Sequence, residues 1–185
     1  MREYKIGGQL VAAPLGDLKN FDGDGIIAYT NNKKHIDEIM KSKLPVVNTT
    51  NAITADFKPP SVFTDDFAVG KLVAEYFINR SFKNFAFCNY SGNLSQWAIQ
   101  RQTGFIETVK NAGLNYSCYP EPLNPKKYSW PQEKKLITNW IRSLKNPTAL
   151  MACNDTHGRI IAEICLQTGI HVPEEISIVG VDNNE

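Results

Sequence analysis

From residue 84 onward, short apolar runs of β type alternate with longer stretches in which apolar residues recur at helical spacing. That alternation is the mark of a parallel sheet covered on both faces by helices. The pattern predicts strands at 85–88, 150–153 and 176–181, with a weaker one at 114–119. Ser95 is placed to cap a helix running to Ala112, and Gly113 supplies the left-handed residue that closes many helices. The next helix has Pro131 in its first turn, buries Leu136, Ile137, Trp140, Ile141 and Leu144 as one stripe, and stops at Asn146–Pro147. A third begins with Asp155 or Thr156 as cap, buries Ile160, Ile161, Ile164 and Cys165 or Leu166, and ends at Gly169. Together these segments predict a complete β-α-β-α-β-α-β lobe over 82–185.

Residues 1–81 carry a poorer α/β pattern. Strands are expected at 9–13, 25–29 and 45–48, a short helix at 34–43, and a strand at 61–63 running into a helix at 66–79. On that helix Val69, Leu72, Val73, Tyr76 and Phe77 form the expected apolar face. A parallel sheet needs a crossover between successive strands, yet no helical stripe separates Ala13 from Gly25. This first lobe is therefore expected to be incomplete, with a strand and helix upstream of Met1 and returning chain after Glu185.

Composition narrows the function classes. The 185 residues are 42% hydrophobic and 21% charged with a net charge of +1, an ordinary globular balance. Lys33–Lys34 and Lys126–Lys127 are only doublets, so this stretch carries no phosphate-tracking basic run, and contact with DNA is expected only through a module outside it. The chain opens without the apolar core of an export signal and holds no run of roughly 18 apolar residues, so the cytoplasm is expected and a membrane partner is not. Cys88, Cys118, Cys153 and Cys165 lack the CxxC pairing of zinc or redox sites and read as free thiols.

Two motifs invite chemistry that their context refuses. Gly23-Asp-Gly25-Ile-Ile-Ala28 has dinucleotide-type glycine spacing, but a β-type run follows the glycines where a helix is required, so it reads as a turn and no cofactor is expected. Cys153, Asn154, Asp155 and His157 lie close in sequence, yet a thiol nucleophile needs a base held against sulfur and oriented by a third group. Helix capping explains that segment more simply. His35 and His171 show no metal spacing. No catalytic residue and no metal ligand are assigned, and the chain does not read as an enzyme.

Ligands of open parallel sheets bind beyond the carboxyl ends of the strands. Asp65, Asn89, Asn154 and Asp182 each follow a strand-like run, and Arg101 stands four residues beyond Trp97 on the same helical face. Sugar hydroxyls donate to fixed carboxylates such as Asp65 or Asp182, accept from the fork of Arg101, and do both with Asn154. Trp97 or Trp130 can cover the apolar face of a pyranose. Taken singly each has a plainer role: Asp65 and Asn154 as helix caps, Asp182 as a turn residue, the tryptophans as core, Arg101 as a solvated arginine. It is the joint placement that points to a ligand.

The strings Thr64-Asp-Asp-Phe-Ala-Val-Gly70, Trp97-Ala-Ile-Gln-Arg-Gln-Thr-Gly-Phe105, Met151-Ala-Cys-Asn-Asp155 and Val172-Pro-Glu-Glu-Ile-Ser-Ile-Val-Gly-Val-Asp-Asn183 resemble, in order and spacing, the effector domains of the lactose- and galactose-repressor type. The resemblance runs from about Gly23 to Glu185. Its Trp-X-X-X-Arg element is nearer the xylose-operon activator type, in which the same sensing fold is joined to an arabinose-regulator-type helix-turn-helix module. The resemblance implies a type I periplasmic-binding-protein-like fold of two parallel-sheet α/β lobes, a homodimer, and a mono- or small saccharide effector such as a pentose. It puts Asp65, Arg101, Asn154 and Asp182 on effector-contacting positions and Trp130 near an aromatic one. Lobe closure around a sugar bridging Asp65 and the other three residues is the implied mechanism. Asp66 stands where relatives often have Asn, and the DNA-binding module is without a counterpart here, so the stretch reads as part of a longer regulator. A periplasmic sugar-binding protein of a transporter shares the fold and is the principal alternative. An α/β sugar-processing enzyme and a fold kept only for dimerisation are the others.

Overall fold

The structure, a computed structural model, describes residues 23–30, 32–50, 58–89, 95–120 and 129–183. The chain divides into two compact units, Met1–Thr64 and Asp65–Glu185. In the first, β1 (Ile26–Ala28) pairs in parallel with β2 (Val46–Asn48), Ile27 opposite Val47, and α1 (Lys33–Ser42) crosses between them. Ile36 and Ile39 of α1 bury against Ala28, Ile26 and Val46. Asn32 caps α1 by accepting from the Lys34 amide at 2.9 Å, and Lys43 closes it at φ 60. The expected strand at 61–63 reduces to a single bridge between Ser61 and Asn48. The expected strand at 9–13 lies outside the described residues.

The second unit contains α2 (Asp66–Ile78), β3 (Asn84–Cys88), α3 (Gln96–Asn111), β4 (Asn115–Cys118), α4 (Trp130–Arg142), β5 (Thr148–Ala152), α5 (Asp155–Thr168) and β6 (Ile176–Val179). Its four strands form one parallel sheet in the order β4-β3-β5-β6. The central strands β3 and β5 are almost wholly buried, as a sheet covered on both faces requires. Period-two alternation then assigns their side chains. Phe85, Phe87, Ala149 and Met151 face α2 and α3, where Phe77, Phe105 and Val109 complete a core. Ala86, Cys88, Leu150 and Ala152 face α4 and α5, against Ile137, Ile141, Ile161 and Ile164.

Three expectations need correction. The division of the units falls before α2, so this helix, grouped by the sequence pattern with the first lobe, packs in the second unit. Its buried face is Asp66, Gly70, Val73, Ala74 and Phe77, whereas Leu72 and Tyr76 are 66% and 45% exposed. The face is rotated because α2 meets α3 through bare backbone. A Cβ on Gly70 would stand 2.0 Å from the Arg101 carbonyl oxygen, and one on Gly104 would stand 2.1 Å from that of Phe67. The cap of α5 is Asn154 rather than Asp155 or Thr156. Its Oδ1 accepts from the His157 amide at 3.0 Å, while the Asp155 amide is taken by the Val181 carbonyl at 2.9 Å. The closures at Gly113 (φ 69) and Gly169 (φ 73) are as expected.

A buried arginine held by two aspartates

Four elements of the second unit bring their polar ends together beyond the sheet. Asp66 is the first residue of α2, Arg101 lies in the second turn of α3, Cys153 directly follows β5, and Asp182 lies three residues past β6. Arg101 is 6% exposed. Its Nε donates to Asp66 Oδ1 at 2.9 Å, its Nη1 to the Cys153 carbonyl at 2.8 Å, and its Nη2 to Asp182 Oδ1 at 3.2 Å. A guanidinium so nearly removed from water is stable only when its charge and its donors are matched, and this fork is matched on three sides. Trp97, one turn earlier on α3, lays its ring beneath the guanidinium, whose central carbon is 4.8 Å from the ring centroid.

The two carboxylates differ in setting. Asp66 is 4% exposed, and burial pushes its carboxyl above the usual 3.8 despite the hydrogen bond and charge of Arg101, with Asp182 and Asp65 pushing the same way. The Asp182 side chain is 38% exposed and its backbone stands at φ 105, a conformation that L-residues adopt rarely. The strand end thus presents a partly open carboxylate beside a closed one. Among the described residues, Nη1 and Nη2 each make one of the two hydrogen bonds that a guanidinium nitrogen can donate.

Of the residues singled out in the sequence, the structure joins Arg101, Asp182 and Trp97 in direct contact. Asp65 is exposed and caps α2, accepting from the Ala68 amide at 2.9 Å, so it flanks the cluster while its neighbour enters it. Asn154 adjoins the Cys153 carbonyl, but its Oδ1 is occupied by the His157 amide and by His157 Nδ1 at 3.1 Å. Asn89 is buried at the end of β3. Trp130 opens α4 and is 51% exposed, and no contact among the described residues ties it to Arg101. The residue that sequence reasoning left out of the site is Asp66. Helix-interior glycines at Gly70 and Gly104 were the available signal, because they mark a close crossing that sets the start of α2 against α3.

Other chemistry is poorly supplied. Burial raises the Cys88 thiol and brings that of Cys153 up to about 11. No group of three or more His, Cys, Asp or Glu that could hold a metal occurs among the described residues. No helix among the described residues is long and apolar enough to cross a membrane.

Residues 74–185 match the family model described as a periplasmic binding protein-like domain. The chain belongs to that family. The match takes in β3 to β6 and every member of the Arg101 cluster except Asp66. Among curated proteins, the xylose operon regulatory protein of Haemophilus influenzae is 28% identical over 88% of this chain and 43% of its own length. The Escherichia coli protein of the same name is 24% identical over 94% of this chain and 45% of its own. This chain therefore spans a little under half of these relatives, both of which are named as xylose operon regulatory proteins. Among solved structures, a xylose-binding transcription activator superposes with a TM-score of 0.73 at 24% identity, over 88% of this chain and 43% of its own. A periplasmic binding protein-like domain with parallel-sheet α/β units is thus established by family match, fold and sequence order together, as the motif resemblance implies.

Proposed function

We propose that this chain is the effector-sensing part of a bacterial transcription regulator, and that the Arg101 cluster binds a monosaccharide, a pentose being the best fit. The observation carrying this reading is the convergence of Asp66, Arg101, Trp97 and Asp182 from separate elements onto one polar centre. Vicinal hydroxyls match that set: they donate to the partly open Asp182 carboxylate and accept from the guanidinium edge, while the apolar ring face meets an indole. Three further points support the reading. Relatives from Haemophilus influenzae and Escherichia coli are named as xylose operon regulatory proteins, one solved relative is named as xylose-binding, and another of the same fold, from Enterococcus faecium, contains ribose at a TM-score of 0.69. The chain's own basic residues do not form a DNA-binding run, so coupling to DNA in the cytoplasm passes through a separate module and a homodimer.

The same site on a transporter's sugar-capture protein would look alike, but regulators are what the relatives are named. The test is a thermal-shift series of pentoses and hexoses on the wild-type chain and on Arg101→Met. A pentose that raises the unfolding temperature of the wild type and leaves the variant unmoved supports the site. Equal protection of both removes it.

A further inference from the structure

The charges around Arg101 do not balance. Asp66 and Asp182 both pair with it, and Asp65 adjoins Asp66 at the start of α2. Arg101 is the cation that faces them among the described residues of these elements, for Lys71 is turned to Glu75 farther along α2. We infer that Asp66 is a specificity residue: by neutralising Arg101 from the buried side it makes the site reject phosphorylated or carboxylated sugars and admit uncharged ones. This rests on the Arg101 cluster being the sugar site.

The physical case has two parts. An anion can bind a guanidinium strongly only by taking the place of its present acceptor. Here that means displacing Asp182 or Asp66, and a displaced Asp66 stays buried and unpaired, because the Gly70–Gly104 crossing leaves α2 no room to withdraw. An anion that displaces neither meets a region of net negative charge. Asp65 is exposed and Asp182 partly so, hence salt screens that field in part, and it is the field by which Asp182 and Asp65 push up the Asp66 carboxyl. Were Asp66 protonated, Asp65 and Asp182 would still outnumber Arg101, so the sign holds. An uncharged sugar avoids both penalties, since hydroxyls use the guanidinium edge without evicting a carboxylate.

Calorimetric titration of the whole chain with D-ribose, D-xylose and their 5-phosphates tests this, in wild type, Asp66→Asn and Asp182→Asn. The free pentose is expected to bind at least about tenfold more tightly than its phosphate, since like-charge juxtaposition discriminates strongly. Each variant, and added salt with the wild type, should shrink that ratio by about threefold or more. A residue with a purely structural role would weaken both ligands together, and steric rejection of the phosphate would leave the ratio indifferent to salt. Either result overturns the inference. Binding of the phosphates alone would overturn it while leaving a sugar site standing; binding of no compound would remove the site and the inference together. Asp182→Asn, at a partly exposed position, serves if Asp66→Asn fails to fold.

Discussion

Gly70 and Gly104 stand where α2 crosses α3, each with its missing side chain aimed at the backbone of the other helix. This contact fixes the separation of the two helices at their polar ends. Asp66 precedes Gly70 by one turn and Arg101 precedes Gly104 by nearly one, so the crossing sets the 2.9 Å ion pair above it. A Cβ at either glycine has backbone, not a yielding side chain, to displace.

Gly104→Ala is accordingly expected to lower stability by about 1–3 kcal/mol or more, the range of overpacked interiors. Gly113→Ala, where a Cβ meets nothing within 4 Å but φ is 69, should cost only about 1–2 kcal/mol for its left-handed backbone. Urea denaturation of both variants checks the order, and a smaller loss at Gly104 would show that the helices can separate.

Removing Arg101 and Asp66 together should cost less than their separate removals imply. Arg101→Met leaves Asp66 buried without its partner, at a cost of about 3–5 kcal/mol, whereas Asp66→Asn with Arg101→Met should cost clearly less than the two singles summed. The pH dependence has a definite sign. The Asp66 carboxyl is raised by burial above 3.8, so the folded state holds a proton that the unfolded state releases, and this group's contribution falls as pH climbs through that window. With Arg101 gone the fall should steepen, which denaturation midpoints between about pH 4 and pH 7 would record.

His157 supplies a slope of the other sense. Burial lowers it from 6.5, against a smaller opposing pull from Glu133. The unfolded state therefore takes up a proton first, and the stability that His157 contributes is present above 6.5 and lost as pH falls below it. Proton NMR should place its titration below 6.5, and His157→Gln should flatten the loss of stability on acidification. Retention of the full slope in that variant would assign it to other groups.

The thiols should separate by access. Cys118 is half-buried, with Gln102 3.4 Å from its sulfur, while Cys88, Cys153 and Cys165 are buried. A disulfide reagent added to the native chain is expected to modify Cys118 first and the other three only on unfolding. Mass spectrometry of the labelled peptides reads the order. Fast modification of Cys153 would mean that the polar end of β5 opens far more readily than its packing implies.

The second unit was legible because its pattern is two-sided. Strands such as Phe85–Cys88 and Leu150–Ala152 are continuous apolar runs, and the helices between them carry stripes with their own stop residues. Helix α2 was harder, since Leu72 and Tyr76 mimic a core face that the glycine crossing turns outward. The same rotation decided between two adjacent carboxylates. Local pattern favoured Asp65 because it follows a strand-like run, and indeed it caps the helix, but which aspartate meets Arg101 depends on how α2 lies on α3. Arg101, Asp182 and Trp97 could be read in advance because helix periodicity and strand ends alone locate them. For Trp130, whose exposed ring at the start of α4 touches none of them, no such local rule applied.

The strand order has one more effect. Arg101 is anchored through Cys153 to β5, which is bonded on both sides, whereas Asp182 hangs from β6, bonded to β5 alone within the described sheet. Sheet edges fray before centres, so the arginine behaves as the fixed jaw of a vice and the aspartate, on its left-handed backbone, as the movable one. A guest that settles beside the 3.2 Å contact could be admitted by a small swing of that jaw, with the ion pair kept and the sheet's interior undisturbed.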